Sequence, residues 1–485
     1  MSFLAELQKN TNRNTFTENG AVTNDSSLDA NLDYFSLAGA MRNRPGDTRK
    51  LFARAYAADP QTALRTLFYL RDIRGGQGER DVFRAGLQEL EKIAPEVAKR
   101  VVANDWIGDY GRYDDLFSFS DERVLAEVVE FIKGQLTIDE KHMAEDGPVS
   151  LLAKWLPSEN ASSKESRVQA RALAKLLDLK PSAYRKRIVK LRKYIKLLEQ
   201  QMSNKEWSEI DYSKIPSQAG RKHVKAFMRH DEERYRDFLS KAEKGEVKIN
   251  TSTLYTYEVF DLVQSGQNQA ANAMWGNLPD YTNGTDALVL ADVSGSMYGR
   301  PMSVSVSLAL YFAERNKGVF SNKFMTFTAR PQVVDVVGNS LTEKLNFIQS
   351  RDWGYNTNLE AAFDAILDAA KSSGQGQDGM PKVLYVISDM EFDAACSNPS
   401  ETIFENARNK FKAANLELPH VVFWNVNARQ DQAPATKFDN NVTLISGSSQ
   451  STFQHAVGGK TPVELMNDVV NSERYSKITL REEKV

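Results

Sequence analysis

The chain has 485 residues, 41% hydrophobic and 26% charged, an ordinary globular composition with room for roughly two to four domains and sizeable cores. Its 62 basic and 64 acidic side chains leave a formal charge of −2, so any attraction to a polyanion has to be local. The single cysteine, Cys396, excludes a disulfide scaffold or a cysteine zinc cluster within one chain, and with neither a signal-peptide core nor an apolar stretch long enough to span a bilayer, a cytoplasmic protein without a membrane partner is expected.

Residues 1–30 are polar, rich in Asn, Thr and Ser, and read as an irregular arm. Residues 31–243 have the texture of successive amphipathic helices. In the stretch from Asp47 to Ile73, Leu51, Ala55, Leu64, Leu67 and Leu70 recur close to the helical period. Further amphipathic stretches follow, separated by polar turns, which suggests stacked helical pairs of a HEAT-like kind. Residues 244–284, with Gly245, Gly266, Gly276, Pro279 and Gly284, read as a connector.

From residue 285 to 485 the pattern changes. ALVLADV, NKFMTFTA, KVLYVISD, HVVFWNV and VTLISG are short apolar runs, separated by helical stretches such as SVSVSLALYFAERN and TNLEAAFDAILDAAKS. Strands alternating with helices predict an α/β unit with a doubly wound parallel sheet, and continuous apolarity predicts strands buried on both faces. In such sheets the ligand sits beyond the carboxyl ends of the strands.

Those ends carry oxygen chemistry. The first strand runs into Asp292-Val293-Ser294-Gly295-Ser296, KVLYVIS runs into Asp389, and Thr357 stands in the loop from Gly354 to Asn358 before a helix. Alternate residues of an extended segment face one way, so Asp292, Ser294 and Ser296 can aim at one point. Carboxylates and hydroxyls without His or Cys suit a hard cation, Mg²⁺ first, and not zinc. A cation held largely by neutral hydroxyls keeps an appetite for an anionic oxygen, such as a partner's carboxylate.

Asp292-x-Ser294-x-Ser296 followed by Thr357 and Ser388-Asp389 resembles the metal-ion-dependent adhesion site of von Willebrand factor A domains. The resemblance implies that Ser294, Ser296 and Thr357 are direct or near ligands of the metal, and that Asp292 and Asp389 act directly or through water. The sequence departs from the family at Gly354-Tyr355-Asn356, where a glycine pair often stands. A long helical region before such a domain resembles the TROVE family founded by the Ro ribonucleoprotein, and resembles a bacterial and phage family of the same layout. The stretches that carry this are TENGA at Thr17 to Ala21, LRDIRGGQGERDVF at Leu70 to Phe83, IDYSKIPSQA at Ile210 to Ala219 and AFMRHDEERY at Ala226 to Tyr235. It implies a ring of helical repeats closed by the A domain, binding single-stranded or small structured RNA.

Two clusters bear on RNA. Arg71, Arg74 and Arg80 surround Gly75-Gly76-Gln77-Gly78, where free backbone N–H groups and guanidinium forks can hold a phosphate; a plain packing turn is the competing reading. Residues 180–196 contain eight Lys or Arg and no acid. There Arg185, Lys186, Arg187, Lys190, Arg192 and Lys193 flank an apolar stripe of Ile188, Leu191 and Ile195, and Tyr184 and Tyr194 offer stacking surfaces; the competing reading is a solvated face answering acidic neighbours. The acidic loop from Asp105 to Asp115 reads as an inter-helix loop anchored by Trp106. No catalysis is expected: none of the five histidines pairs with another or with a nucleophile, Cys396 has no base near it in sequence, and no P-loop pattern occurs. The leading expectation is a non-catalytic, RNA-binding scaffold with a Mg²⁺-dependent ligand site. The alternative is a metal-dependent protein-assembly module that binds no nucleic acid.

Overall fold

The computed structural model describes residues 2–12, 15–282, 284, 286–328, 330–351, 356–394, 398, 400–456 and 459–480. Up to residue 278 the regular structure of the described residues is helical, apart from one small hairpin. Its helices are short and sharply punctuated, for reasons written locally. Asp59 ends the Pro45–Ala58 helix and caps the next one, Pro60–Arg71, accepting hydrogen bonds from the amides of Gln61 and Thr62 while Pro60 supplies a first-turn residue that needs no N–H partner. Pro95 and Pro181 open helices in the same way. None of the described helices is long and apolar enough to cross a membrane.

The C-terminal region holds a mixed six-stranded sheet. A small antiparallel hairpin near the N-terminus supplies β1 (Thr15–Phe16) and β2 (Val22–Thr23). The sheet consists of β3 (Ala287–Ala291), β4 (Lys323–Thr326), β5 (Gln332–Asp335), β6 (Val383–Ser388), β7 (His420–Asn425) and β8 (Val442–Ser446). Their order across the sheet is β5-β4-β3-β6-β7-β8, all parallel except for β5, which pairs antiparallel with β4 at the edge. The five apolar runs of the sequence form the five parallel strands, and β3, β6, β7 and β8 are buried at every position, as a sheet covered on both faces requires. The edge strand β5 has no such run: three of its four residues are exposed. Strand order reverses between β3 and β6, so the loops after these two neighbours leave in divergent directions and open a crevice.

Two segments differ from their sequence reading. The N-terminal arm is not irregular throughout: Phe3–Asn12 is a helix and the β1–β2 hairpin follows it. Both dock on the C-terminal region. The buried Lys9 Nζ lies 2.6 Å from Asp439 Oδ1, and Asn24 forms a bridge to Ala433. Polar residues mark this arm because its partners are polar. The connector also folds, into the helices Thr256–Gln264 and Asn268–Gly276, whose apolar faces are buried. The second packs Trp275 beside Tyr311 of the Arg300–Arg315 helix, and Trp275 Nε1 donates to Glu314 at 2.7 Å.

The helical region thus touches the sheet unit at both of its ends. Its first helices meet β8, where the Gly39 amide donates to Ser446 Oγ, and its last helices meet the Arg300–Arg315 helix, where Thr256 and Ser307 hydroxyls lie 2.8 Å apart. The two ends also meet each other: Tyr255 OH donates to the carbonyl of Gln77 at 2.7 Å. A single apolar core runs through both halves.

The glycine turn is the keystone of this junction. Gly76 folds back so close to the Pro60–Arg71 helix that an added Cβ would sit 1.9 Å from the Tyr69 carbonyl oxygen, and Gly78, at φ +66°, faces the Tyr255 hydroxyl. Gly76→Ala is therefore expected to destabilise the protein by about 1–3 kcal/mol through forced displacement of backbone. Gly46→Ala, at a helical site with nothing within 4 Å, serves as the control and leaves the urea midpoint unchanged or raised.

Candidate functional site

β3 and β6 are parallel neighbours, and their register sets Ala291 beside Ile387. The residues that follow, Asp292 and Ser388-Asp389, therefore emerge side by side at the carboxyl edge. The Asp292 amide donates to the Ile387 carbonyl, and Ser388 Oγ donates to Asp292 Oδ2 at 2.5 Å. Asp292 Oδ1 accepts the Ser294 amide at 2.9 Å, which curls the chain so that the Ser294 and Ser296 hydroxyls stand 3.1 Å apart. Asp292, Ser294 and Asp389 are buried, Ser296 is partly exposed, and Tyr298 is fully open at the rim. Access is thus from the Ser296 side.

The third loop arrives through Thr357, which is buried. Its amide donates to Asp393 Oδ2 at 3.1 Å and its carbonyl accepts the Asp393 amide at 3.1 Å, four residues beyond Asp389. Of that loop, Gly354 and Tyr355 lie outside the described residues, as does Cys396. All three loops named from sequence converge on one edge.

Their electrostatics are those of crowded acids. Burial first, then the neighbouring Asp389 charge, pushes the Asp292 carboxyl up to about 7. Burial also raises Asp389, against hydrogen bonding from Ser296 and the Glu391 amide, and the Glu18 charge adds to the rise. Glu391 is pushed up to about 7, mainly by burial. Two buried carboxylate oxygens here, Asp389 Oδ2 and Glu391 Oε1, have no hydrogen-bond partner. An unpartnered buried carboxylate oxygen is costly. Asp292, Ser294, Ser296 and Asp389 are the donor types that Mg²⁺ takes, one or two carboxylates with hydroxyls and water, and a hard divalent cation there would answer the unpartnered Asp389 oxygen. Among the described residues no three His, Cys, Asp or Glu side chains converge as a metal cluster.

Three residues of this site were not read from sequence. Arg429 Nη1 lies 4.0 Å from Asp389 Oδ2 while its Nη2 lies 2.6 Å from Glu18 Oε2. Glu391 buttresses the hairpin through the Glu18 amide. No sequence signal marks Arg429 or Glu391, but Glu18 sits in the TENGA stretch.

The basic clusters fare unevenly. Arg71 is buried and its Nε donates to Asp115 Oδ2 at 2.7 Å, Arg80 pairs with Asp81, and only Arg74 of the three is exposed without an ion pair among the described residues. With the glycines packed against Tyr69 and Tyr255, this turn is a packing element. On the Pro181–Tyr194 helix, Arg187 is held by Glu140, and Arg192 caps the carbonyls of Ala153 and Leu156. Tyr184 is buried with its hydroxyl on the Pro157 carbonyl, so it offers no stacking surface. Arg185, Lys186, Lys190 and Lys193 stay exposed and unpaired among the described residues. Lys190 and Lys193 border an open groove beside Tyr194 and Lys196. Trp106 is buried edge-on to Phe68, the anchor expected of its loop.

The structure also brings together what spacing did not reveal. A cavity of about 980 Å³ lies among the helices, lined by Arg42, Arg71, Arg80, Arg112, Lys154, Arg192, Lys222 and His223 with Trp155, Tyr255 and Tyr257. Glu79, Asp81, Glu199 and Glu258 temper its charge. Arg112 stacks 4.1 Å above Trp155, and Arg42 is clamped on Glu79, with Nη2 2.6 Å from Oε1. Lys154, Lys222 and His223 form no ion pair among the described residues.

Comparison with known proteins divides the chain in the same way as the fold. The family model of a domain of unknown function, DUF7788, matches residues 286–484, and that of another, DUF2828, matches residues 17–100 and 121–278. An uncharacterized protein of Acanthamoeba polyphaga mimivirus is 27% identical over 506 residues, which cover 96% of this chain and 86% of that protein. The chain is therefore similar over nearly its whole length to a viral protein, and its two matched regions meet just before β3.

Proposed function

We propose that the protein is a non-catalytic, RNA-binding scaffold of the Ro type, in which a HEAT-like helical ring is closed by a von Willebrand factor A-type domain with a Mg²⁺-dependent ligand site. The strand order with one antiparallel edge, and the contact of both ends of the helical region with the sheet unit, support that architecture. The observation that carries RNA binding is the cavity: Lys154 and Lys222, which can meet phosphates, line it together with the half-buried Trp155, the combination of cation and aromatic by which single-stranded nucleic acid is held without sequence readout. The exposed cations of the Pro181–Tyr194 helix extend this chemistry to the outer surface. Asp292, Ser294, Ser296 and Asp389, with Thr357 beside them, would hold the cation, whose part is to attract an anionic oxygen.

The test is a pair of affinities for a single-stranded RNA oligonucleotide, measured by fluorescence anisotropy at two salt concentrations. Affinity is expected to fall steeply with salt, because each neutralised phosphate releases counterions. Lys190→Glu with Lys193→Glu is expected to weaken binding about tenfold or more and to flatten the salt slope. An affinity indifferent to salt and to these substitutions removes RNA from the reading.

A second reading has its own support. Arg71, Arg187 and Arg192 are committed to partners within the chain, whereas Asp389 Oδ2 accepts no hydrogen bond. This favours a metal-dependent assembly module that takes a protein carboxylate and no nucleic acid. Protein purified from cells and compared at 260 and 280 nm before and after nuclease separates the two: co-purifying RNA supports the scaffold, and a protein partner released by EDTA supports the module.

A further inference from the structure

The N-terminal hairpin ends at the candidate cation site. Its turn is fastened there by four contacts to the segment that follows Asp389. Thr17 Oγ1 donates to the Phe392 carbonyl at 2.6 Å, the Glu18 amide donates to Glu391 Oε2 at 2.6 Å, Asn19 Nδ2 donates to the Glu391 carbonyl at 2.7 Å, and Gly20 bridges to Asp393. These bonds hold the backbone of Glu18 in one place while its carboxylate reaches the Arg429 guanidinium. The other side of that guanidinium faces the buried, unpartnered Asp389 Oδ2. One monovalent side-chain cation thus stands between an exposed carboxylate from residue 18 and a buried one from residue 389.

A guanidinium 4.0 Å from a carboxylate oxygen makes no hydrogen bond to it. The arrangement satisfies Glu18 and leaves Asp389 short. A divalent cation carries twice the charge in a smaller volume and answers Asp389 better. Once it does, the carboxylates that share Arg429 face the metal, and the exposed one of them is Glu18.

We propose that Glu18 is the anionic ligand that this chain offers to its own cation site, so that the metal latches the N-terminal hairpin onto the sheet, with Arg429 as the cation that occupies the position between Glu18 and Asp389 when no metal is bound. The inference rests on the cation reading of the site. It changes what the site does: a partner's carboxylate has to displace an internal one, and the hairpin becomes the gate. Glu18 and Arg429 are both partly exposed, so exchanging them leaves the core intact.

The experiment titrates the full chain with MnCl₂ by calorimetry and follows amide hydrogen exchange at residues 15–23. Wild-type protein is expected to bind Mn²⁺ and to slow exchange in the hairpin on binding. Glu18→Gln is expected to weaken binding about tenfold, since ligand charge sets affinity for hard cations, and to abolish the slowing. Arg429→Gln is expected to tighten binding, an opposite sign that a general loss of structure cannot mimic. If Asp292→Asn abolishes binding while Glu18→Gln binds as wild type, or if hairpin exchange ignores the metal, the internal ligand is overturned and the cation site stands. If wild-type protein binds no Mn²⁺, or Asp292→Asn binds it unchanged, both fall together.

Discussion

Asp292→Asn is expected to raise the melting temperature of the metal-free protein and to erase the further rise that Mg²⁺ gives the wild type. The two effects have one cause. Asp292 is completely buried, and its carboxylate is disfavoured by that burial and by Asp389 beside it. Without a cation, this is a standing penalty on the fold. Asparagine keeps an oxygen for the Ser294 amide, can turn its own amide N–H toward Ser388 Oγ, and removes the charge. With a cation, the same charge is what binds it. A ligand that binds only the folded state stabilises by about 2.7 kcal/mol at a hundred times its dissociation constant, and the variant forgoes that gain. Melting curves with EDTA and with MgCl₂ should therefore cross over between the two proteins. An equal Mg²⁺ shift in both would falsify the assignment.

Asp115→Ala is expected to cost about 3–5 kcal/mol, because it strands a buried guanidinium. Asp115 has no exposed surface. It accepts from Arg71 Nε and Arg84 Nε, each at 2.7 Å, and from the Arg112 amide at 3.1 Å. Arg84 keeps Asp114 as a second partner, but Arg71, only 5% exposed, has no other ion pair among the described residues. Removing both charges differs from removing one: Arg71→Met with Asp115→Leu is expected to recover much of the loss, since a buried pair replaced by apolar groups of like volume is often near neutral. Urea unfolding of the three proteins is the measurement. A single-variant loss below about 1 kcal/mol, the range of exposed pairs, means that Arg71 reaches solvent and is available to phosphate after all.

The second case also indicates why function was less legible than fold in the helical half. Arg71 and Asp115 stand 44 positions apart, and Arg187 and Glu140 stand 47 apart. A run of lysines and arginines announces charge, but whether a charge is free depends on an acid that folding brings alongside. The same holds for the cavity. Arg42 and Arg112 stand in turns between helices, Lys154 and Lys222 on two different helices, and the four share no spacing.

The oxygen-bearing loops at the sheet's carboxyl edge were legible because their geometry is local. An extended strand running into Asp292-Val293-Ser294-Gly295-Ser296 sets alternate side chains on one side wherever it folds, and the apolar runs before Asp292 and Asp389 are long enough to be parallel strands buried on both faces. Sequence by itself therefore determined the helical and α/β halves, five of the six sheet strands and the chemistry at their carboxyl ends. Tertiary structure decided that the edge strand β5 exists, since it is specified by pairing with β4 and not by apolarity. It decided that the polar arm folds, since its partners, such as Asp439 for Lys9, lie 430 positions away. And it brought Glu18 and Arg429 to Asp389. Periodicity and strand ends are properties of neighbouring residues, whereas the pairing of charges is a property of the whole fold.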